Sequence, residues 1–192
     1  FGRWTTAVFI RVERWLARHT DVLIAISASV RDDLLRLKIG RPSTVRVVPL
    51  GLDLSMFSSI NGREQGLRRR LRLPETAPLV GIVGRLVPIK QHELFLQAAQ
   101  RLGNGNPSMQ FDAVGDGERR DHLRSMVQGL GIKDRVHFLG WRLDLPTVYA
   151  DVDCVCLTSR NEGTPVSLIE AMAAGRPVVA PAVGGGPELL GE

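Results

Sequence analysis

Glu162-Gly163-Thr164-Pro165-Val166-Ser167-Leu168-Ile169-Glu170 places two carboxylates around a loop that runs into a helix. Thr164 is a natural N-cap, and Pro165 fits the first helical position, where its missing N–H costs nothing. Gly175 is expected to close the helix in a left-handed turn. Glu162 then precedes the helix and Glu170 lies inside it, with the orphan N–H groups of Val166, Ser167 and Leu168 between them. At the positive end of a helix dipole these amides can hold an anion such as a diphosphate, with a carboxylate on either side to accept hydroxyl hydrogen bonds. That combination suits a sugar nucleotide. A second group falls on another expected strand-to-helix turn, Gly84-Arg85-Leu86-Val87-Pro88-Ile89-Lys90. Gly84 lets backbone approach a ligand, Arg85 offers a planar fork of donors to phosphate oxygens, and Lys90 adds a mobile point charge. Two cations five residues apart could neutralise a leaving diphosphate; taken alone, they would serve equally well in a surface salt bridge.

The elements that must carry these residues follow from hydrophobic spacing. Val8, Phe9, Val12, Trp15 and Leu16 predict a helix over about 5–18, followed by a short apolar strand at 21–26. Ser27 or Ser29 starts a second helix ending near Gly40, and 45–50 is again a strand. Residues 54–77 are polar and Arg-rich and predict an inter-domain crossing with a small helix at 63–72. From Leu79 strands (79–83, 110–114, 136–139, 154–157, 177–180) alternate with helices (91–102, 117–130, 145–150, 165–174). Leu94, Phe95, Ala98, Ala99 and Leu102 are the expected buried face of the first of these helices. This is the pattern of an α/β, Rossmann-like, doubly wound parallel sheet, in which ligands bind beyond the carboxyl ends of the strands. Both groups of chemical residues fall there. The domain reading is 1–53, 54–77 as linker, and 78–192, with the chain read as truncated at both ends.

Composition narrows the function classes. Hydrophobic content of 44% is that of a globular chain, and no apolar run reaches the roughly 18 residues needed to cross a bilayer. Residues 1–72 carry 14 Lys/Arg against 6 Asp/Glu, a net of +8, while the remainder nets −3. The basic first part could touch an anionic membrane face or a phosphorylated acceptor, or simply be solvated helix faces. Cys154 and Cys156 lie two apart on a strand, where a bridge has the wrong geometry, so free thiols in a reducing cytoplasm are expected. The histidines at 19, 92, 122 and 137 show no metal spacing. Gly81 and Gly84 do not complete a dinucleotide fingerprint and no P-loop is present, which argues against a dehydrogenase or an ATPase. Gly115-Asp116-Gly117-Glu118 reads as a turn in which Asp116 bonds its own backbone. Trp141, after Gly140, either borders a base pocket or belongs to the core.

Taken in series, Val83 to Lys90, Gly115 to Glu118, Val136 to Gly140, and Glu162 to Glu170 with Ala171-Met172-Ala173-Ala174-Gly175-Arg176-Pro177-Val178-Val179-Ala180 resemble a known family. It is the C-terminal, donor-binding domain of the retaining nucleotide-sugar glycosyltransferases with the E-x7-E signature and the two-domain GT-B fold. The resemblance covers about residues 20–192, and the stretch from Glu13 through Ser27 to Asp53 resembles the end of that family's N-terminal domain. It implies that Arg85 and Lys90 bind the diphosphate and stabilise its departure. It implies that Glu162 contacts the donor sugar, with Gly84 and the 163–167 backbone (Gly163, Thr164, Pro165, Val166, Ser167) nearby. Glu170 would take the ribose hydroxyls, and Leu139 and Trp141 would lie near the base. No bound metal or other cofactor is implied, because cations and a helix N-terminus perform that electrostatic task. The implied reaction is same-face substitution, the leaving phosphate helping to deprotonate the acceptor; a covalent role for Glu162 would need a glycosylated Glu162 in support. The implied partners are a nucleoside-diphosphate sugar and a glycan, lipid-linked or small-molecule acceptor. Nucleic acid is not among them. The implied setting is bacterial and cytoplasmic, with cell-envelope glycan synthesis and contact with the inner membrane face both compatible, and the fragment alone is expected to bind donor without turnover. A non-catalytic sugar-nucleotide module, an epimerase or a phosphorylase would share the architecture. Gln91 stands where the family often carries Gly, so a different turn is expected there.

Overall fold

The structure is a computed structural model that describes residues 3–64 and 66–191. In chain order the first elements are α1 (Arg3–Arg18), β1 (Leu23–Ala25), α2 (Ala28–Arg36), β2 (Val45–Val47), α3 (Ser55–Ser58) and α4 (Gly66–Arg70). They are followed by β3 (Leu79–Val83), α5 (His92–Gly105), β4 (Gln110–Val114), α6 (Arg120–Gly129) and β5 (Val136–Gly140). The last are α7 (Leu145–Asp151), β6 (Cys154–Cys156), α8 (Val166–Ala173), β7 (Val178–Val179) and α9 (Gly186–Leu190). The chain divides into two compact units. One comprises 1–52, 162–164 and 182–192, and the other 53–161 and 165–181.

In the first unit β1 and β2 pair in parallel, with Ile24 opposite Arg46. Ser27 is the N-cap of α2, its hydroxyl accepting from the Val30 amide at 3.2 Å. The helix ends before Gly40, because the Ile39 amide reaches back to the Leu34 carbonyl at 2.8 Å with Lys38 in the left-handed region at φ 56°. This is a Schellman closure, with a lysine where glycine is the unstrained choice. The helix expected from Val8, Phe9, Val12, Trp15 and Leu16 forms as α1, but all five side chains are exposed. Glu188 of α9 accepts from the amides of Ala28 (3.0 Å) and Ser29 (2.7 Å), so a carboxylate occupies the positive end of α2. Gly185 packs so closely that a Cβ there would stand 2.0 Å from the Gly163 carbonyl oxygen.

The second unit is built on a five-stranded parallel sheet in the order β5-β4-β3-β6-β7. Strand order reverses between β3 and β6, which opens a crevice at their carboxyl ends. On one face Ile82, Phe111, Ala113 and Val136 bury themselves against Phe95, Leu96 and Ala99 of α5 and Leu123 and Val127 of α6. Phe95 and Phe111 meet edge to face at 6.0 Å. The buried stripe of α5 is His92, Phe95, Leu96, Ala99 and Gly103, a regular i, i+3, i+4, i+7 set. Leu94, Ala98 and Leu102 form the adjoining i, i+4 row and are exposed, so the expected face was too wide on that side.

The segment leading into β3 is pinned to the amino edge of the sheet by a buried guanidinium. Arg68 of α4 is 1% exposed. Its Nε donates to the Asp151 carbonyl (3.0 Å), Nη1 to the Ala77 carbonyl (2.7 Å) and Nη2 to Asp153 Oδ2 (2.9 Å). Asp151 Oδ2 in turn accepts from the Leu67 and Arg68 amides at the start of α4. Asp153 also accepts from the Leu79 amide (2.8 Å) and pairs with Arg63. The five N–H groups of the fork suit this convergence of carbonyl and carboxylate oxygens in a way an ammonium could not. Cys154 and Cys156 are free and half-buried, and burial pushes the Cys156 thiol up to about 12, which keeps it protonated and unreactive.

Candidate functional site

Three loops of the second unit gather at the carboxyl ends of β3, β4 and β6. Gly84 leaves β3 with its amide on the Val114 carbonyl (2.9 Å), and the Leu86 amide then donates to the Asp116 carbonyl (3.0 Å). The loop carrying Arg85 therefore lies on the Gly115-Asp116-Gly117 turn. A Cβ at Gly115 would fall 2.1 Å from the Gly84 carbonyl oxygen, and at Gly117 2.5 Å from that of Leu86. Gly115 also has φ 134°, outside the range that other residues accept. Asp116 Oδ1 accepts from the Gly117 amide (2.8 Å) and Oδ2 from Arg120 (2.8 Å), so the aspartate shapes the turn as its sequence suggested.

Arg85 is exposed on this platform and, among the described residues, no carboxylate pairs with it. Lys90 closes a 3-10 turn (Pro88–Lys90), and its aliphatic stem lies 3.8 Å from where a Gly84 Cβ would stand. Gln91 adopts φ 47°, ψ 47°, the left-handed region in which glycine is the unstrained residue. What holds it there comes from the loop after β6. The Thr158 hydroxyl lies 2.9 Å from the Lys90 carbonyl and 3.0 Å from that of Gln91, and the Arg160 amide donates to Ile89 (2.9 Å). Sequence reasoning missed Thr158, since a lone threonine after a strand carries no motif. Gln91→Gly is expected to stabilise the fold by about 1 kcal/mol by relieving this strain, as thermal unfolding would reveal. No gain would mean that side-chain contacts of Gln91 offset the strain.

Glu170 projects from α8, half-buried, with Tyr149 Oη donating to its Oε2 at 2.8 Å. Burial pushes the Glu170 carboxyl above its ordinary range, and the tyrosine bond opposes part of that rise. Tyr149 is fully buried, meets Phe57 edge to face at 5.6 Å, and keeps its proton because burial and Glu170 both raise its pKa. The carboxylate is therefore oriented by a group that the sequence did not flag. The N-terminus of α8 differs from expectation: its N-cap is Pro165, at φ −78°, ψ 83°, with no side-chain cap. Thr164 is not the cap, because its hydroxyl turns to the Ile26 carbonyl in the first unit (3.4 Å). Of the three amides expected to be open, Leu168 is spent on the Pro165 carbonyl (3.0 Å); among the described residues those of Val166 and Ser167 have no partner. Gly175 closes the helix at φ 69° as expected.

Glu162, Gly163 and Thr164 belong to the first unit, whereas Pro165, Val166, Ser167 and Glu170 belong to the second. In its own unit the Glu162 carbonyl accepts from the Gly185 amide (3.1 Å), and Gly163 is pressed against Ile26, where a Cβ would meet Cδ1 at 2.9 Å. Leu139 is half-buried near the end of β5; Trp141 beyond it is 70% exposed, so it is not a core residue. No group of three or more metal-ligating side chains occurs among the described residues.

Comparison with known proteins agrees with this architecture. Residues 64–192 match the family "Glycosyl transferases group 1", and residues 1–56 match "Glycosyltransferase Family 4". A D-inositol 3-phosphate glycosyltransferase of Salinispora tropica is 38% identical over 188 residues, covering 90% of this chain and 39% of that protein. Among solved structures, Anabaena Alr3699/HepE in complex with UDP-glucose superposes with a TM-score of 0.84 at 30% identity, over 95% of this chain and 51% of the other. The sucrose-phosphate synthase of Thermosynechococcus elongatus gives 0.77 at 29% identity, over 92% and 44%. The chain thus spans about half or less of the length of these relatives. These matches confirm the α/β parallel-sheet fold as that of the GT-B glycosyltransferases, and the chain belongs to the glycosyl transferases group 1 family.

Proposed function

We propose that the protein is a retaining glycosyltransferase that transfers a sugar from a nucleoside-diphosphate sugar, UDP-glucose or a close analogue first among them, to a hydroxyl acceptor. The observation that carries the reading is the pair Arg85 and Lys90 on one loop at the carboxyl end of β3, at the point where strand order reverses. These cations neutralise the diphosphate as the glycosidic bond breaks, and the open amides of Val166 and Ser167 add the positive end of α8. Glu170, oriented by Tyr149, takes the ribose hydroxyls, and Leu139 with exposed Trp141 borders the base. Glu162 with Gly163 contacts the donor sugar, and the leaving phosphate accepts the acceptor's proton on the same face of the sugar. No metal is needed where cations carry this charge. Residues 1–53 serve as the end of the acceptor-side domain, 54–77 as the crossing and 78–192 as the donor domain. A small phosphorylated polyol leads the acceptor candidates, since the relative in Salinispora tropica is named for one. Cell-envelope glycans and lipid-linked precursors remain the alternatives, with the enzyme cytoplasmic or at the inner membrane face.

Calorimetric titration of the 192-residue chain with UDP, GDP, ADP and NAD tests this. Selective binding of one nucleoside diphosphate is expected, weakened about 10- to 100-fold by Lys90→Ala, the scale of a lost charge-assisted bond. Glu170→Ala is expected to weaken nucleoside diphosphate binding but not that of inorganic pyrophosphate. Binding of NAD alone would overturn the reading, as would transfer to an acceptor with inverted configuration.

A further inference from the structure

We propose that the first unit contains a second anion site, a pocket for a phosphate group at the junction of α1 and α2. A cavity of about 580 Å³ is lined by Arg14, Ala17, Arg18, Lys38, Gly40 and Arg41. Four of these six residues are cations and none is an acid. Among the described residues no carboxylate forms an ion pair with any of the four. On α2, Asp33 pairs with Arg36 and Asp32 with Arg31. Like charges around one cavity repel one another, and an anion among them relieves that repulsion.

The backbone supports this placement. Arg14 Nε donates to the Leu37 carbonyl at 2.8 Å, which satisfies one orphan carbonyl of α2 and fixes the guanidinium at the cavity wall. Favourable interaction with the α2 dipole explains one cation at this end; it does not explain four around a single cavity. Lys38 holds its charge at φ 56°, a conformation strained for lysine and free for glycine. The strain alone is not distinctive, since Arg72 adopts the same φ after α4. What distinguishes Lys38 is the three guanidinium groups lining the same cavity. The site is also separate from the donor-site candidates within its own unit. A Cβ on Gly40 would touch Leu23 and Val45, the first residues of β1 and β2, whereas Gly163 and Thr164 pack on Ile26 just beyond the other end of β1.

Four cations in so small a volume select a phosphate monoester or a diphosphate over a neutral polyol. Two sources share that chemistry, a soluble phosphate ester and an anionic lipid headgroup. The test is amide chemical-shift titration of the 192-residue chain with inorganic phosphate and with pyrophosphate, each in the presence of saturating UDP so that nucleotide sites are filled. Saturable shifts at Ile39, Gly40 and Arg41 are expected, with affinity reduced about 10-fold in Arg41→Ala and in Lys38→Gly, as for loss of one charge-assisted contact. Lys38→Gly should at the same time hold or raise the melting temperature, so that loss of binding cannot be ascribed to unfolding. Shifts that do not saturate, or that persist unchanged in both variants, would overturn the proposal. Co-sedimentation with vesicles of phosphatidylglycerol and phosphatidylcholine against phosphatidylcholine alone distinguishes the sources. Sedimentation with the anionic vesicles that is lost in both variants assigns a lipid headgroup, and its absence beside saturable phosphate binding assigns a soluble ester. Anionic-vesicle binding that survives both variants, with no phosphate shifts at 39–41, would place any attraction elsewhere and refute the pocket.

Discussion

Arg68→Met is expected to destabilise the second unit by about 3–5 kcal/mol, the cost of leaving buried partners of an ion pair uncompensated. The side chain is enclosed, and its loss strips a donor from Asp153 Oδ2 and from the carbonyls of Ala77 and Asp151 at once. Methionine fills much of the same volume, so the effect reports polar groups rather than a cavity. Arg68→Lys should recover only part of the loss, because a single ammonium cannot reach three acceptors arranged for a fork. Urea unfolding monitored by circular dichroism measures both variants. A loss below about 1 kcal/mol for Arg68→Met would show that Arg63, the other partner of Asp153, suffices alone.

Asp112→Asn is expected to stabilise the protein at pH 8 by as much as about 4 kcal/mol, with the gain fading toward pH 5. Asp112 sits in mid-strand on β4 with no hydrogen bond to either carboxylate oxygen among the described residues. Burial pushes its carboxyl up from 3.8 to about 7, while Arg68 and Arg142 pull it back and Asp151 adds to the rise. A raised acid binds its proton more tightly in the folded chain than in the unfolded one. Stability therefore falls as pH climbs from about 4 to about 7, and the penalty is complete above that range. Three pKa units correspond to about 4 kcal/mol. Asparagine mimics the protonated acid at every pH, which is why the two proteins should converge in acid. His92 works in the opposite direction. Its ring is buried and its pKa is lowered to about 4, so the unfolded chain takes up a proton below about 6.5 and stability falls toward acid. Between about pH 4 and 6.5 these two slopes oppose one another, so Asp112→Asn should steepen the loss of stability toward acid. Equal pH profiles for the two proteins would refute the assignment. Arg68 also lowers the Asp112 pKa, so the two substitutions should be non-additive.

Strand and helix order in the second unit was legible because each element there meets a full hydrophobic partner, and periodicity records that. Burial was less legible. The apolar stripe of α1 correctly signals a helix, but a pattern cannot say which partner covers it. Leu94 and Leu102 show the same gap, since an apolar residue one row off the core face keeps the period while staying in solvent. At the candidate site, the residues carrying charge were visible through loop chemistry. The groups that orient them were not. Thr158 comes from the loop after β6 and Tyr149 from α7, 68 residues from Lys90 and 21 from Glu170, and the fold brings each pair together. The Thr164 cap failed for a related reason: the hydroxyl donates to a long-range carbonyl, that of Ile26, instead of accepting from an amide of its own helix. Gln91 holds a left-handed conformation where the Thr158 hydroxyl binds the carbonyls of Lys90 and of Gln91 itself.

The buried fork of Arg68 bears on how halves of such proteins can be exchanged. The stretch from 53 to 78 looks like a neutral hinge that could travel with either half, yet its arginines complete the amino edge of the five-stranded sheet. A hybrid joined at 78 would hand the sheet a foreign connector and strand Asp153 without its cations. One joined near 52 would carry the connector with the sheet it supports. In this chain the natural seam for recombination lies some twenty-five residues upstream of the first strand of the five-stranded sheet, between Leu52 and Asp53.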